Sequence, residues 1–298
     1  MPVICYRKKN FGADRLDKIE KVNAIVNEYM EKGFELTLRM VYYQMVARGF
    51  IPNNMREYKN LGDVVNDGRL AGLIDWTAIV DLTRELNDLS HWESPSSIID
   101  AVSKQYRIDK WSDQEHRIEV WAEKDAVKGV ILPACQRLDI PFFSCRGYTS
   151  QSEMWEAAMR LRRHIDNGQQ PLILHLGDHD PSGKDMTRDI TDRLAEFAGR
   201  EIEINRLALN MDQIRQYNPP PNPAKITDSR ATAYIAEFGQ ESWELDALTP
   251  EVMAALIETA VMAVRDEEKW DAAVAEENEQ REQLVKVSAK WNEIIDSL

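Results

Sequence analysis

The sequence predicts an α/β protein: a helical N-terminal unit, then a mainly parallel sheet covered on both faces, then a helical and acidic extension. Three observations predict it. Helical apolar periodicity dominates the first hundred residues. From residue 117, short apolar strands alternate with helical stretches, which implies right-handed crossovers and a Rossmann-like sheet. The Pro-rich run YNPPPNPAK at 217–225 then breaks that rhythm.

The elements follow in order. Leu16, Ile19, Val22, Val26, Tyr29 and Met30 lie at helical spacing, and Gly33 ends the run. A second helix runs from about Thr37 to Arg48, with Gly49 as its stop. FIPNNMREYKN reads as a loop, and LGDVVNDGRLAGLIDW as a third helix. Three short helices with tight connections resemble a helix-turn-helix or CAP-like winged-helix unit over residues 1–95, with the wing near WTAIVDLTREL. Residues 96–116 are a linker and connecting helix, capped by Ser96 or Ser97. Residues 117–215 form the sheet domain, with strands at RIEVWAE, PFFSCRG, PLILHLGD and EIEINRLAL. Trp121 is expected to pack in the sheet. Residues 216–298 form the extension. In it WELDALTPEVMAALIETAVMAV reads as one helix, with Thr249 as a cap, and 265–298 as a charged helix with a solvated face.

Composition limits the function. The chain has 298 residues, 43% hydrophobic and 30% charged, enough for a sizeable core. Three cysteines without metal spacing, and a start without a long apolar core, suggest a reducing, cytoplasmic setting. The longest mostly apolar run, 253–264, is too short to span a bilayer. The net charge of −14 argues against nucleic acid until its distribution is considered. Residues 1–60 carry 11 Lys/Arg and 7 Asp/Glu, whereas residues 241–298 carry 5 and 15, so the front of the chain can still face phosphate.

Ligands of parallel sheets bind at the carboxyl ends of the strands. Glu123 ends the first strand; Asp178 and Asp180 end the third, in GDHDPSG. The latter segment contains no Lys or Arg, so three converging acids suggest a hard divalent cation such as Mg²⁺. The alternative is an Asx turn before Pro-Ser-Gly, with both aspartates merely solvated. His179, between them, is expected to point away from any metal.

AEKDA at 122–126, CRGY at 145–148 and GDHDPSG at 177–183 occur in the order of TOPRIM domains. They are most similar to the version in the topoisomerase VI A subunit and the related meiotic double-strand-break protein. Ala122 replaces the family's usual valine, and Thr149 a proline. The resemblance covers about residues 117–210 and implies Glu123, Asp178 and Asp180 as Mg²⁺ ligands. It also implies a nucleophilic tyrosine upstream. The family's R-D-x-[YF]-Y pattern maps onto Arg39-Met40-Val41-Tyr42-Tyr43, with Met40 in place of the aspartate. Helix geometry puts Tyr42 in the apolar stripe and Tyr43 off it, one turn from Arg39. A partly exposed phenol beside that cation is expected to lose its proton more easily.

The resemblance implies DNA double-strand cleavage through a 5′-phosphotyrosyl bond, by a homodimer in which each tyrosine meets the other subunit's metal site. No ATP-binding fingerprint is present, so strand passage needs a separate ATPase B-type subunit, or the chain resembles the reduced mini-A forms. Lys8, Lys9, Arg48, Arg56, Lys59, Arg69 and Arg146 are candidate phosphate contacts, each equally readable as solubilising surface. Nucleoid association in the cytoplasm follows from that assignment. The alternative function is a TOPRIM nuclease that hydrolyses with metal-activated water; a non-catalytic DNA-binding protein is a third reading.

Overall fold

A computed structural model describes residues 3–80, 91–291 and 293 of the chain. Helix α1 (Ala13–Glu31) buries Ile19, Val22, Ile25, Val26 and Tyr29, a stripe set by 3.6-residue spacing. Each fully buried side chain of this size contributes about 1.5–3 kcal/mol. The chain leaves α1 at Gly33, whose φ of +80° suits a residue without a Cβ. Thr37 caps α2 (Leu38–Ala47) by accepting from the Met40 amide. Helix α3 (Met55–Leu70) starts earlier than the sequence suggests: Asn54 accepts from the Glu57 amide, and MREYKN is helix rather than loop. Its residues are mostly good helix formers once that cap is in place.

These three helices are joined by two isolated bridges, Cys5 with Ala71 and Leu36 with Ile79. No hairpin of a wing is seen among the described residues, and residues 81–86 of the expected wing lie outside them. Helix α4 (Pro95–Gln105) is capped by Ser94, not by Ser96 or Ser97; Pro95 at the first helical position fits there, and Ser97 closes a reciprocal capping box.

The α/β expectation holds. Strands β1 (His116–Ala122), β2 (Phe142–Ser144), β3 (Gln170–Leu176) and β4 (Glu203–Ala208) form one parallel sheet in the order β2-β1-β3-β4. Helix α5 (Lys128–Arg137) follows β1, α6 (Gln151–Asp166) follows β2, and α7 (Pro181–Ala198) follows β3. Period-two alternation sorts the side chains. Ile118, Val120, Leu172, Leu174 and Leu176 join a core shared with α1–α3. Trp121 and Ile173 face the other way, onto Met154, Leu161, Ile190 and Leu194 of α6 and α7. Trp121 is fully buried against Phe143, as expected.

The region after β4 holds more structure than a proline break suggests. Helix α8 (Met211–Tyr217) leads to β5 (Asn222–Pro223), which pairs antiparallel with β6 (Glu241–Ser242) around α9 (Ala231–Phe238). Residues 245–247 make a 3₁₀ turn, so the helix read from Trp243 begins only at Pro250. Thr249 caps that helix, α10 (Pro250–Met262), as anticipated, and α11 (Glu267–Ala289) packs along α4. One hydrophobic cluster runs from α1 through the sheet to Ile257 and Val261 of α10, across the boundaries expected at 95, 116 and 215. The three cysteines are free, and no helix among the described residues is long and apolar enough to cross a membrane.

Candidate active site

The register of the sheet explains why distant acids meet. Ala122 of β1 pairs with Leu176 of β3, so the next residues, Glu123 and Gly177-Asp178, leave adjacent strands side by side. This is the point where the strand order reverses and crossovers part to opposite faces. The Asp178 amide donates to Glu123 Oε2 at 2.8 Å, and Asp178 Oδ1 accepts from the Leu245 amide at 2.9 Å. Asp180 caps α7: its Oδ1 accepts from the Gly183 amide at 2.6 Å and from Ser182 Oγ at 3.0 Å. A Cβ on Gly183 would lie 2.3 Å from the Asp178 carbonyl oxygen, so this turn admits only glycine.

The carboxylates that approach one another most closely are not the three expected. Asp178, Glu244 and Asp246 each present an oxygen within 4.8 Å of the others. Asp178 alone belongs to both sets; Glu123 and Asp180 line the same cavity but are committed to backbone amides. The repulsion is also offset locally, contrary to the reading of GDHDPSG alone. Lys124 Nζ lies 2.5 Å from Asp178 Oδ2 and also contacts Glu244 Oε2. Arg39 Nη2 lies 2.8 Å from Glu244 Oε2, and its Nε lies 2.5 Å from Asp246 Oδ2.

Burial raises the Asp178, Glu123 and Asp246 carboxyls above the usual carboxylate range. Burial acts on Glu244 in the same sense, but the Lys124 and Arg39 charges outweigh it and bring that group to about 2. Asp246 is 1% exposed; its Oδ2 is paired with Arg39, and its Oδ1 receives no hydrogen bond. A buried oxygen left so is costly unless a further donor or cation reaches it. The all-oxygen donor set therefore fits a hard divalent cation, without discriminating magnesium from manganese or calcium.

Arg206 of β4 holds the acidic loop. Its buried guanidinium donates to the carbonyls of Gly183 at 2.9 Å, Gly177 at 3.2 Å and Asp178 at 2.5 Å, and to Thr187 Oγ1 at 2.6 Å. Burial lowers its pKa to about 10. His179 turns away from the acids, as expected. It lies among Tyr234, Phe238 and Trp243, with Nδ1 2.8 Å from the Tyr234 hydroxyl.

Tyr43 and Arg39 line this same cavity, of about 460 Å³, with Glu123, Lys124, Asp178 and Asp180 of the same chain, whereas the resemblance implies a tyrosine that meets the other subunit's metal site. Tyr42 packs inward against Tyr58 and donates to Asn53 Oδ1, in keeping with its place in the apolar stripe. The expectation of a partly exposed, more acidic Tyr43 is overturned. Its side chain is 4% exposed, and burial raises its pKa above the ordinary tyrosine value despite the opposing Arg39 charge. Asn222 Nδ2 donates to the Tyr43 hydroxyl at 3.3 Å, and the Arg39 guanidinium carbon sits 5.5 Å from the ring centre. Residues 222–223 and 242–246 fold over this side of α2, which helical periodicity cannot reveal.

The candidate phosphate contacts lie elsewhere. Lys8, Arg56 and Lys59 are exposed. Lys9 pairs with Asp67, and Arg48 pairs with Glu28 at 2.8 Å. Arg146 pairs with Asp125 at 2.7 Å and stays 71% exposed. Arg69 is turned inward, donating to the carbonyls of Trp76 and Ile79, so its guanidinium fastens the turn after α3 rather than facing solvent. None of the seven lines the cavity.

Sequence reasoning passed over Lys124, Arg206, Glu244 and Asp246. A signal for the last two was present: the ELD spacing at 244–246 repeats the two-apart acids of 178–180. Arg206 was detectable as a lone charge inside the apolar strand INRLAL. Comparison of the chain with protein-family models, with curated proteins and with solved structures finds no match.

Proposed function

We propose that the chain cleaves DNA by transesterification with Tyr43 as nucleophile, in the manner of the topoisomerase VI A subunit that its motifs resemble. One observation carries the proposal: a tyrosine and an arginine from the helical unit share a cavity with carboxylates delivered by the strand ends. Such a constellation suits phosphoryl transfer, in which positioning and charge stabilisation do most of the catalysis.

Tyr43 Oη attacks phosphorus. The tyrosyl O–P bond forms, the P–O3′ bond breaks, and the phenol proton ends on the departing 3′ oxygen. The 5′ end stays on the protein, so the backbone can be resealed by the reverse step. Because burial keeps the phenol protonated at neutral pH, its proton leaves only as the attack proceeds. The Asn222 amide holds Oη and stabilises negative charge gathering there. Arg39, one turn away on α2, keeps the ring facing the carboxylates. A divalent cation held by Asp178 with Glu244 and Asp246, magnesium in this proposal, would supply positive charge to the phosphate in the transition state.

Two copies, one per strand, would produce a double-strand break. ATP-driven strand passage would fall to a separate ATPase B-type subunit, and nucleoid association would follow from DNA binding. The exposed Lys8, Arg56, Lys59 and Arg146, with Lys225 at the cavity itself, are cations that could guide duplex toward it.

The burial of Tyr43 favours one other reading, hydrolysis by metal-activated water with the phenol as a bystander. The two separate cleanly. After incubation with supercoiled DNA and Mg²⁺, denaturation should leave DNA attached to the protein, and Tyr43→Phe should reduce that adduct on the order of 10³-fold or more. Free 5′-phosphate ends at equal rates from both proteins would instead establish the nuclease.

A further inference from the structure

The cations in the cavity matter as much as its acids. Within the cluster, three carboxylates meet one ammonium and one guanidinium, and Lys124 sits between Asp178 and Glu244, where a metal would bind. A dication entering beside both side chains would change a slight negative excess into a positive one. That is unfavourable at such short range, where water screens poorly. Asp246, paired with Arg39 through Oδ2, nevertheless keeps a buried Oδ1 without a hydrogen bond, an acceptor with room for a further donor or cation.

Resting on the function proposed above, we infer that Lys124, assisted by Arg39, closes the Asp178–Glu244–Asp246 cluster to divalent metal until a phosphodiester draws the ammonium away. Metal and nucleic acid then bind cooperatively. One phosphate charge supplies the anion that Lys124 gives up, and the metal takes the ammonium's place among the carboxylates. With both bound, the cluster and its ligands are close to neutral. Lys124 suits this exchange: its flexible stem is anchored just after β1, and its head lies at the cavity wall. Free metal alone would leave the site unarmed, which protects a DNA-cleaving protein from idle activation. Because linkage is reciprocal, metal must raise affinity for the duplex by the same factor that the duplex raises affinity for metal.

The test is Mn²⁺ binding, read from loss of the free-ion electron paramagnetic resonance signal, with and without a short DNA duplex. The intact protein should bind Mn²⁺ weakly alone and roughly ten- to a hundredfold more tightly with duplex present. Lys124→Met should bind it tightly without duplex, and duplex should add little. Lys124→Gln, which keeps a polar group at the cavity, should behave in the same way, and circular dichroism checks that both variants fold. If the variants bind Mn²⁺ as weakly as the parent, or gain as much from duplex, the inference fails while a metal-dependent function stands. If no protein takes up Mn²⁺ even with duplex, the metal-dependent reading falls with it.

Discussion

Two parts of the molecule crowd opposite charges together, and they differ in what the acids lack. One is the cavity at the carboxyl ends of β1 and β3. The other, of about 510 Å³, lies where α4 and α11 meet α5, and is lined by Lys104, Arg107, Lys110, Arg137 and Arg281 with Asp139 and Glu277. By cation count alone, the cavity beside α11 is the better phosphate site. Yet its buried acid is fully served: Glu277 Oε2 accepts from the Ile108 amide at 3.1 Å and from Lys110, and Oε1 accepts from Arg281. Those partners hold the Glu277 carboxyl below its usual range, although burial acts in the opposite direction. In the strand-end cavity, by contrast, burial raises three carboxyls, and Asp246 Oδ1 receives no hydrogen bond. Charge density marks both places. Unmet acceptors mark only the one equipped to take a ligand, whereas the other clamps α11 to the body of the protein.

Substitutions can break this comparison. The largest effect belongs to the strand-end cavity. Asp178→Asn should lower metal-dependent DNA cleavage by about 10²–10³-fold, measured as initial rate in Mg²⁺, with a smaller effect on melting temperature because Lys124 keeps Glu244 as a partner. Glu277→Ala should do the reverse, costing about 3–5 kcal/mol in denaturant unfolding because Lys110 is left buried without its closest partner. Its Mn²⁺ affinity should match the parent. If Glu277→Ala abolished metal binding instead, the two regions would not be functionally distinct.

A smaller contrast lies in pH. His175, fully buried beside Arg206, is held neutral by desolvation, with the guanidinium adding, at a pKa of about 3. Its folded pKa is below the ordinary 6.5, so the unfolded chain takes the proton first. The stability this group provides is complete above pH 6.5 and is lost toward pH 3, at up to about 1.4 kcal/mol per pH unit. Unfolding curves of His175→Gln should lack that slope relative to the parent. The smallest effect is expected for Asp246→Asn: stability within about 1 kcal/mol of the parent, since Arg39 loses one buried partner but keeps Glu244, with Mn²⁺ affinity lowered about tenfold. A clear loss of stability would mean that Asp246 serves Arg39 as a structural partner only.

Much of this was legible in the amino-acid order. The alternation from 117 to 210 announced a parallel sheet, and its carboxyl ends directed attention to Glu123, Asp178 and Asp180. All three line the cavity, because side-by-side strands in register bring their ends together. The local turn around Asp180 was equally legible, since an Asx cap needs only its next three residues. The environment of Tyr43 was not. Its helix shows which side faces the core of the N-terminal unit, but says nothing about a segment 200 residues later covering the opposite side.

The sequence by itself determined the helical and strand periods, the cap at Thr249, and the residue types from which an acidic site could be built. Those depend on interactions within a few residues. Only the tertiary structure decided which acids share a cation, that Lys124 and Arg39 already occupy the cluster, and that Tyr43 is buried above it. Those outcomes depend on distances across α2, β1, β3 and the 241–247 segment, set when separate apolar faces find a common core.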